Sequence, residues 1–553
     1  MKALIVSLNS QYIHSSLAPW YLLSSVRKNC HKGIKLKVIE GTVNEDFTDV
    51  YNRIKKEKAD VIAFSCYIWN IKYVLELTKC LYKKGVKIVL GGPEVSYCAK
   101  KILTENRQVN YIISGEGEYP FSLLLNTLYK KGVLSKVPGL SYRIRGRVQA
   151  SEPFVTDEIP QSPYCKEYFS SLKGRIAYIE TSRGCPFSCA FCLSGRGSGV
   201  RYFPLERAKK EIIALANSGS KIIKFVDRTF NANRKRAYEL FSFIIDNYGK
   251  SIKNGVCFHF EIAGDLLREE DFRLLETAPK GAIQFEIGMQ SFNSDTLAAI
   301  NRKTNISVLK KNILRLSEMD NIHIHIDLIA GLPKEDYATF RDSFNTAFSL
   351  NSDMLQLGFL KLLHGADMRE KREEYPCEFC ENPPYEVIST PWINHTQMDM
   401  LRFCENALER FCNSGRFKMT NEYIFKVQKR NPFDTLTQLG MFTGSDSCSL
   451  SEYVNRIYRF FEKGSDCSIL RDKLLCDIAA SVKSNVLPSC LIREDERLSK
   501  FRKLLESDQA TKRKKGVMRN AFLLYSENCG AYVDYDEKIN GKYIIRKVKF
   551  DIN

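Results

Sequence analysis

The chain has 553 residues, 44% hydrophobic and 27% charged, a balance typical of a globular protein with two or three domains rather than one. Its 83 lysine and arginine residues exceed its 64 acidic residues by 19, which raises the question of nucleic-acid binding. No run of about eighteen consecutive apolar residues occurs, and the start, MKALIVS, has the pattern of a strand rather than of a secretion signal. We therefore expect no membrane span, a cytoplasmic location and reduced thiols at the 18 cysteines.

The first 140 residues alternate short apolar runs with amphipathic stretches of helical spacing. Strands rich in Val and Ile, each followed by a helix, are typical of a doubly wound, Rossmann-like α/β sheet. Such a sheet binds ligands beyond the carboxyl ends of its strands. The predicted strands cover residues 3–7, 36–40, 61–65, 87–90 and 111–114. The candidate ligand-binding residues at or just beyond their ends are Ser65, Gly91, Gly92, Glu94, Gly115 and Glu116.

Residues 141–174, which contain several prolines, are predicted to link this domain to a second alternating series. The second series spans residues 175–365 and has six strand–helix units, which predicts a parallel barrel, complete or partial. The catalytic face of such a barrel lies at the carboxyl ends of its strands. The predicted strands cover residues 176–181, 221–227, 256–262, 282–289, 322–329 and 354–360.

Residues 366–553 are dominated by helical spacing and predict a mainly helical domain. Near the end, residues 532–535 and 543–550 flank Asn540-Gly541, a dipeptide that predicts a terminal hairpin. The only dense basic run, residues 512–515, lies in this domain. Because the other basic residues are spread along the chain, we favour a small molecule or a peptide over RNA as the substrate.

Two weaker features follow the last predicted barrel strand. Lys361 and His364 are candidate acid–base or anion-holding groups, with surface placement equally open. Cys377 and Cys380 could serve an auxiliary cluster or a zinc ion. No second cysteine pair lies at a suitable distance, so unligated thiols are favoured.

The segment that carries the chemistry runs from Thr181 to Cys192, TSRGCPFSCAFC, directly after the first barrel strand. Its three cysteines, Cys185, Cys189 and Cys192, lie four and three residues apart. A [4Fe-4S] cluster normally takes four thiolates, so a loop that gives three leaves one iron open to another ligand. A zinc site would want a fourth ligand nearby, and no His, Cys, Asp or Glu follows until Glu206.

This motif, with the strand ends that follow it, resembles the radical S-adenosylmethionine (radical SAM) superfamily. Matching segments occur at residues 224–231, 260–262, 285–291 and 327–333, so the resemblance covers roughly residues 175–365. It implies a partial (β/α)6, TIM-like barrel and a [4Fe-4S] cluster on the three cysteines. It also implies that S-adenosylmethionine is bound by Asp227, Asn231, Glu261, Glu286, Gln290 and Ser291.

The first domain resembles the cobalamin-binding domain that precedes the barrel in one large subclass of this superfamily, chiefly at residues 91–94 and 115–118. The resemblance implies cobalamin as a further cofactor; tight turns alone are the alternative for these glycines. The Asp-x-His-x-x-Gly signature of many corrinoid proteins is absent, so the lower cobalt ligand stays open. His14 is the nearest histidine, but a loop hydrogen bond suits it better. The methylthiotransferase class fits poorly, because its three further cluster cysteines have no counterpart among Cys30, Cys66, Cys80 and Cys98.

The resemblance thus implies an oxygen-sensitive enzyme that cleaves S-adenosylmethionine reductively to a 5′-deoxyadenosyl radical, with flavodoxin or ferredoxin as the reductant. Methylation of an unactivated carbon is the leading expectation. Rearrangement or cyclisation without methylation, RNA modification, and a non-catalytic corrinoid or redox sensor are the alternatives. The mass of the product separates methylation from rearrangement or cyclisation, because only methylation adds a methylene unit.

Overall fold

The computed structural model describes residues 1–83, 85–196, 199–483, 487–507, 520–539 and 541–552. The chain divides into two compact units by its internal contacts. The first unit comprises Met1–Asp336, Leu350–Ser352 and Phe359–Asn394. The second unit comprises Tyr337–Ser349, Asp353–Gly358 and His395–Asn553.

Seven strands form one sheet in the front part of the first unit. They are β1 (Lys2–Asn9), β2 (Lys35–Thr42), β3 (Val61–Ser65), β4 (Lys87–Gly91), β5 (Tyr111–Ile113), β6 (Leu140–Ile144) and β7 (Arg147–Gln149). Their order across the sheet is β2-β1-β3-β4-β5-β6-β7. The first five are paired in parallel, as the doubly wound pattern predicts.

Both faces of this sheet are covered, which is why its strands are almost continuously apolar. On β1, Leu4 and Val6 belong to one buried cluster, while Ala3 and Ile5 belong to another on the opposite face. Helices cover both faces. They are α1 (Ala18–Asn29), α2 (Phe47–Lys56), α3 (Ile71–Leu81), α4 (Pro93–Ser96), α5 (Ala99–Glu105) and α6 (Glu118–Lys130).

The stretch predicted as a linker begins with regular structure, because β6 and β7 extend the sheet as an antiparallel hairpin. Leu140 and Tyr142 are buried, which ties the hairpin to the sheet core. Arg145 and Gly146 both have positive φ, 47° and 79°, as a two-residue turn between antiparallel strands requires. The prolines of residues 141–174 predicted a linker and gave no sign of this hairpin. The domain boundaries proposed at residues 140 and 174 stay predictions.

The strands that follow are β8 (Ala177–Ile179), β9 (Ser182–Arg183), β10 (Arg201–Tyr202), β11 (Ile222–Phe225), β12 (Cys257–Ile262), β13 (Ile283–Gln290), β14 (His323–Ala330) and β15 (Met354–Phe359). Strands β8, β11, β12, β13 and β14 pair in parallel in that order, as the barrel prediction requires. Strands β9 and β10 pair only with each other, antiparallel. The helices between them are α7 (Lys166–Ser171), α8 (Leu205–Ala216), α9 (Arg234–Asn247), α10 (Glu269–Leu275), α11 (Ser294–Ala299) and α12 (Ile306–Glu318).

Successive residues on the barrel strands face opposite sides of the sheet. One side is apolar: Phe225, Phe260 and Phe285 pack together with Phe241 of α9. The residues between them are polar, and they form the inner face of the barrel sheet. That face carries Tyr178, Lys224, His259, Glu261, Gln284, Glu286, His325 and Asp327.

Residues 360–394 complete the first unit. They contain α14 (Asp367–Glu370) and a short antiparallel pair, β16 (Glu378–Phe379) and β17 (Val387–Ser389). The amide of Met368 donates to the carbonyl of Ala190 at 3.0 Å, so this segment contacts the cysteine loop.

The second unit is mainly helical, with α13 (Tyr337–Ser349), α15 (His395–Ala407), α16 (Lys418–Asn421), α17 (Pro432–Thr443), α18 (Leu450–Phe461), α19 (Cys467–Ser481) and α20 (Glu496–Ser507). It ends in an antiparallel sheet of β18 (Ala521–Leu524), β19 (Cys529–Ile539) and β20 (Lys542–Val548). Strands β19 and β20 pair antiparallel in the region of the predicted terminal hairpin, and β18 adds a third strand; Asn540 of the predicted turn lies outside the described residues. Within the described ranges, no helix is long and apolar enough to cross a membrane.

Candidate active site

Cys185, Cys189 and Cys192 lie on a loop whose two ends, β9 and β10, form a two-stranded neck. All three are free thiols; Cys189 is buried and the other two are partly exposed. Gly184, at the start of the loop, has φ 94°, and a Cβ atom there would lie 2.1 Å from the carbonyl oxygen of Gly199. Only glycine allows this approach, so Gly184 permits the tight exit of the chain from β9.

Donors surround the three sulfur atoms. The amide of Ser194 donates to Cys192 Sγ at 3.4 Å, and the Thr229 hydroxyl lies 3.4 Å from Cys185 Sγ. Arg302 Nη1 lies 3.8 Å from Cys189 Sγ. Burial raises the pKa of the Cys189 thiol, and the Arg302 charge opposes that shift. Hydrogen bonds and positive charge of this kind stabilise thiolates, the form that binds iron.

In the described part of the chain, no group of three or more His, Cys, Asp or Glu side chains is arranged to hold a metal ion. A single ion would need its thiolates within about 2.3 Å of one point. In an iron–sulfur cluster each thiolate binds a different iron atom, so the thiolates do not converge on one point. The absence of such a group among the described residues therefore concerns a single metal ion and not a cluster. Three free thiols on one closed loop, each with a nearby donor, have the chemistry that an iron–sulfur cluster requires.

An ion-paired layer crosses the inner face of the barrel sheet. Glu286 Oε2 lies 2.8 Å from Lys224 Nζ and 2.7 Å from His259 Nε2. Burial alone would raise the pKa of Glu286, but His259 and Lys224 lower it to about 2. Glu286 is therefore ionised at neutral pH and its charge is compensated. Gln284 lies 2.9 Å from His325, whose pKa burial lowers to about 4.

Two carboxyl groups on the inner face are less well compensated than Glu286. Asp327 Oδ1 is buried without a hydrogen-bond partner among the described residues, and burial, with the nearby Glu286 charge, raises the Asp327 pKa to about 7. Burial also raises the pKa of Glu261, which is 4.0 Å from Lys224. These groups can accept or donate a hydrogen bond to a polar ligand at the strand ends. Asp327 was not predicted as a site residue from the sequence; its signal was one acidic residue among the apolar residues and histidines of β14.

Asp227 and Asn231, predicted to contact S-adenosylmethionine, already have partners in the protein. Asp227 accepts from the amide and hydroxyl of Thr181, at 2.9 and 2.7 Å, and from the Ser182 hydroxyl at 2.6 Å. Burial raises the pKa of Asp227 to about 6. Asn231 exchanges two hydrogen bonds with the backbone of Ala263, at 2.8 and 2.9 Å. Both residues thus hold strand ends in place, Asp227 at the neck of the cysteine loop.

Gln290 and Ser291 end β13. Gln290 has φ 71°, in the left-handed region that non-glycine residues seldom adopt. Its Oε1 atom is buried without a partner in the described structure, whereas Ser291 donates to Glu335. A strained residue with an unpartnered acceptor at a strand end is a candidate for binding a ligand.

The glycines at the edge of the front sheet are explained by contacts within the protein. Gly92 has φ 109°, and a Cβ there would lie 2.5 Å from the carbonyl oxygen of Cys66. Gly115 has φ 85°, and its Cβ would lie 2.2 Å from the carbonyl oxygen of Phe154. Side chains exposed in the loops after these strands include Tyr12, Ile13, Trp69 and Tyr97. The ring of Trp69 stacks on Tyr67 at 4.5 Å and 4°, so the edge carries an aromatic surface that the sequence analysis did not single out.

The two glutamates predicted at this edge contact later segments of the first unit. Glu94 is 6% exposed and accepts a hydrogen bond from the Tyr385 hydroxyl; burial raises the Glu94 pKa. Glu116 accepts from Arg183 at 2.9 Å and from Arg201 at 2.8 Å.

The remaining candidate residues occupy ordinary structural positions. His14 Nδ1 lies 2.7 Å from the Tyr178 hydroxyl, the hydrogen-bonding role favoured for it. Cys377 and Cys380 flank β16, where residues three apart project to opposite faces of a strand. Lys361 forms an isolated bridge with Glu386, and burial lowers the pKa of His364 to about 4.

Comparisons with known proteins agree with this architecture. Residues 3–125 match the B12 binding domain, residues 179–347 the radical SAM superfamily, and residues 373–538 a family of unknown function, DUF4080. The fold and the cysteine loop therefore define a radical SAM protein. Because a B12 binding domain precedes the barrel, the chain belongs to the cobalamin-binding radical SAM proteins.

An uncharacterized methyltransferase of Pyrococcus horikoshii is 32% identical over 234 residues, 40% of this chain and 50% of that protein. The 2-(S-pantetheinyl)-carbapenam-3-carboxylate methyltransferase of Streptantibioticus cattleyicolor is 29% identical over 323 residues, 52% of this chain and 44% of that protein. The regions of similarity thus span about half the length of these curated relatives. Among solved structures, the cobalamin-dependent S-adenosylmethionine radical enzyme OxsB aligns with a TM-score of 0.62 at 15% identity, covering 90% of this chain and 82% of that chain. At that identity the likeness concerns the fold alone.

Proposed function

We propose that this protein is an enzyme that binds a [4Fe-4S] cluster through Cys185, Cys189 and Cys192 and cleaves S-adenosylmethionine. The cysteine loop carries the proposal: it offers three free thiols, and a neck of two paired strands closes it. Three thiolates leave one iron of a four-iron cluster open to S-adenosylmethionine. When bound, the cluster supplies the electron that breaks a carbon–sulfur bond to give a 5′-deoxyadenosyl radical, and cobalamin supplies a methyl group.

The inner face of the barrel sheet is the proposed binding surface for S-adenosylmethionine and the substrate. Glu261 and Gln290, with Asp327, offer acceptors that have few partners in the protein, which suits hydroxyl and amino groups. Glu286 and Ser291 border this surface with their own partners in place. We assign Asp227 and Asn231 an indirect role, because their polar atoms already bond to the chain.

The edge of the front sheet is the proposed cobalamin site. Ser65, Gly91, Gly92 and Gly115 end or follow the strands at this edge, and the aromatic surface around Trp69 suits a large flat ligand. Doubly wound sheets bind ligands at this edge.

We propose methylation of an unactivated carbon in a small molecule or a peptide as the overall reaction. The names of the two curated relatives, both methyltransferases, support this choice over rearrangement or cyclisation. A reductant such as flavodoxin or ferredoxin is required by the reductive cleavage. All 18 cysteines are free, which supports a reducing compartment such as the cytoplasm.

The test begins with anaerobic reconstitution with iron, sulfide and hydroxocobalamin. The protein should bind about four irons and one cobalamin, and with S-adenosylmethionine and dithionite it should release 5′-deoxyadenosine. Replacing all three loop cysteines by Ala should abolish iron binding and 5′-deoxyadenosine. The matched control, Cys377→Ala with Cys380→Ala, should keep both.

Iron retained by the triple variant would refute the cluster assignment. Failure of the intact chain to bind any corrinoid would refute the cobalamin assignment separately. Once a substrate is found, a product heavier by one methylene unit supports methylation, and an unchanged mass supports rearrangement instead.

A further inference from the structure

The neck of the cysteine loop places two like charges opposite each other. Arg183 on β9 and Arg201 on β10 are direct cross-strand partners. Like charges in such positions destabilise a strand pair. Both side chains are also mostly buried, with exposures of 17% and 15%, so water screens their repulsion poorly. The neck therefore needs an anion between the two guanidinium groups.

The front sheet supplies that anion. Glu116 Oε2 lies 2.9 Å from Arg183 Nη1, and both Glu116 oxygens lie 2.8 and 2.9 Å from Arg201 Nη2. Arg183 also contacts Glu118 at 2.5 Å and Glu180 at 2.9 Å. Because Glu116 alone contacts both arginines in this set, it joins the two strands of the neck.

The backbone around Glu116 is itself fixed. The amide of Glu116 donates to the carbonyl of Phe154 at 2.8 Å, and Gly115 forms a bridge with the same residue. The carboxylate is thus presented from a defined position just beyond β5, at the edge of the front sheet. The neck is tied to that edge by charge-assisted hydrogen bonds, which are short and directional.

The barrel side holds the neck independently. Asp227 bonds to Thr181 and Ser182, immediately before Arg183. Removing the charge of Glu116 would therefore leave the loop attached to its barrel, and to α6 through Glu118, while breaking the ion pairs that join both strands of the neck to the end of β5. The two attachments can be separated by experiment.

We propose that Glu116 is a positioning residue that sets the placement of the cysteine loop relative to the edge of the front sheet. This inference rests on the proposed function, in which that edge and that loop hold cobalamin and the cluster. It assigns Glu116 to the neck rather than to direct contact with cobalamin, the role expected from its sequence context. The charge and the reach of its carboxylate together maintain the distance between the two cofactors.

The first measurement uses the chain without cofactors. Glu116→Gln keeps the size of the side chain and removes its charge. Hydrogen–deuterium exchange should become about tenfold faster in peptides covering residues 113–118 and 182–183, because the two mostly buried charge pairs of Glu116 no longer hold them together. The matched control, Glu45→Gln, breaks the more exposed pair with Arg53 of α2 and should leave these peptides unchanged.

The second measurement uses the reconstituted protein. Pulsed electron paramagnetic resonance gives the distance between the reduced cluster and cob(II)alamin. The E116Q variant should bind iron and cobalamin as the wild type does but show a broader distance distribution. Should E116Q fail to fold, Arg201→Lys, which keeps the charge and loses the two-oxygen contact, should give the same changes to a smaller extent.

Wild-type exchange together with a wild-type distance distribution would overturn the inference and leave the proposed function intact. Loss of cobalamin with unchanged exchange would also overturn it, because Glu116 would then contact the cofactor. If the wild type bound neither cofactor, the proposed function would fail, and with it the assignment of a distance between cofactors; the exchange measurement would still show whether Glu116 holds the neck.

Discussion

Gly184 occupies a position in the cysteine loop that no residue with a side chain can take. A glycine in the sequence is compatible with a tight turn, but it does not indicate that the turn closes against the backbone of Gly199 across the neck. Gly184 is thus required both for its positive φ and because the neck leaves no space for a Cβ atom. The two contributions can be separated, because Gly219 has nearly the same φ, 95°, with nothing near its Cβ position.

We predict that Gly184→Ala reduces the iron bound after reconstitution from about four to below one per chain. The added Cβ would force the strands of the neck apart and displace Cys185. The control Gly219→Ala carries the same backbone strain without the clash and should bind iron like the wild type. Iron analysis of both variants provides the measurement, and equal loss in the two would show that strain alone is responsible.

Asp327 is predicted to make the stability of the chain depend on pH. Burial raises its pKa from 3.8 to about 7, so the folded chain holds this proton more tightly than the unfolded chain. The contribution to stability is complete below about pH 4 and is lost as the pH rises through about 7. Asp327→Asn should therefore raise the unfolding free energy at pH 8 relative to the wild type, by up to about 4 kcal/mol.

Denaturant unfolding of the cofactor-free protein at pH 5 and pH 8 measures this difference. The variant should gain more at pH 8 than at pH 5. Asp320→Asn, at a side chain that is 87% exposed, serves as the control and should show no such difference. A D327N variant less stable than the wild type at pH 8 would contradict the assigned burial cost.

At the scale of elements, α15 and α17 of the second unit approach closely at a single glycine. A Cβ on Gly440 would lie 2.0 Å from the carbonyl oxygen of Phe403. Glycine in a helix normally costs stability, so a glycine at this position indicates close backbone packing. The second unit thus depends on this contact as well as on apolar burial.

We predict that Gly440→Ala destabilises the second unit by about 1–3 kcal/mol, although the same change in an unobstructed helix would stabilise it by about 1 kcal/mol. Thermal unfolding followed by far-ultraviolet circular dichroism is the measurement. Met441→Ala, at the next and exposed residue, should change stability little. A stabilised G440A variant would show that the two helices are not in backbone contact.

For the whole molecule, the net charge of +19 could be mistaken for evidence of a nucleic-acid-binding site. Many of the described arginines and lysines are paired, as Arg183, Arg201 and Lys224 are. The dense basic run at residues 512–515 lies outside the described residues. The charge therefore predicts weak, non-specific attraction to nucleic acid rather than a dedicated site.

We expect the protein to bind transfer RNA with a Kd weaker than about 1 μM at 200 mM salt, as non-specific binding does. Fluorescence titrations at 50 and 200 mM salt would measure this. Affinity in the nanomolar range at the higher salt would favour the RNA-modifying alternative. Removing residues 508–519 would then show whether the basic run is responsible.

Much of the fold and the cysteine loop could be predicted because both depend on local sequence. Short apolar runs separated by amphipathic stretches predicted the parallel strands, and the cysteine spacing predicted the loop. The partners of the edge glutamates could not be predicted in this way. Glu94 bonds to Tyr385, 291 residues later, and Glu116 bonds to Arg201, 85 residues later. Glutamate at a strand end fits a ligand contact or an ion pair equally well, so only the folded structure distinguishes them.

The alternation on β12, β13 and β14 has a consequence for how this protein can diversify. Phe260 faces the apolar side and Glu261 the inner face, and Phe285 and Glu286 repeat the arrangement on the next strand. Inserting or deleting one residue within these strands would exchange the two sides at once. Loops at the carboxyl edge carry no such constraint. Changes of substrate during evolution should therefore accumulate as differences in loop length, while the strands keep a constant number of residues.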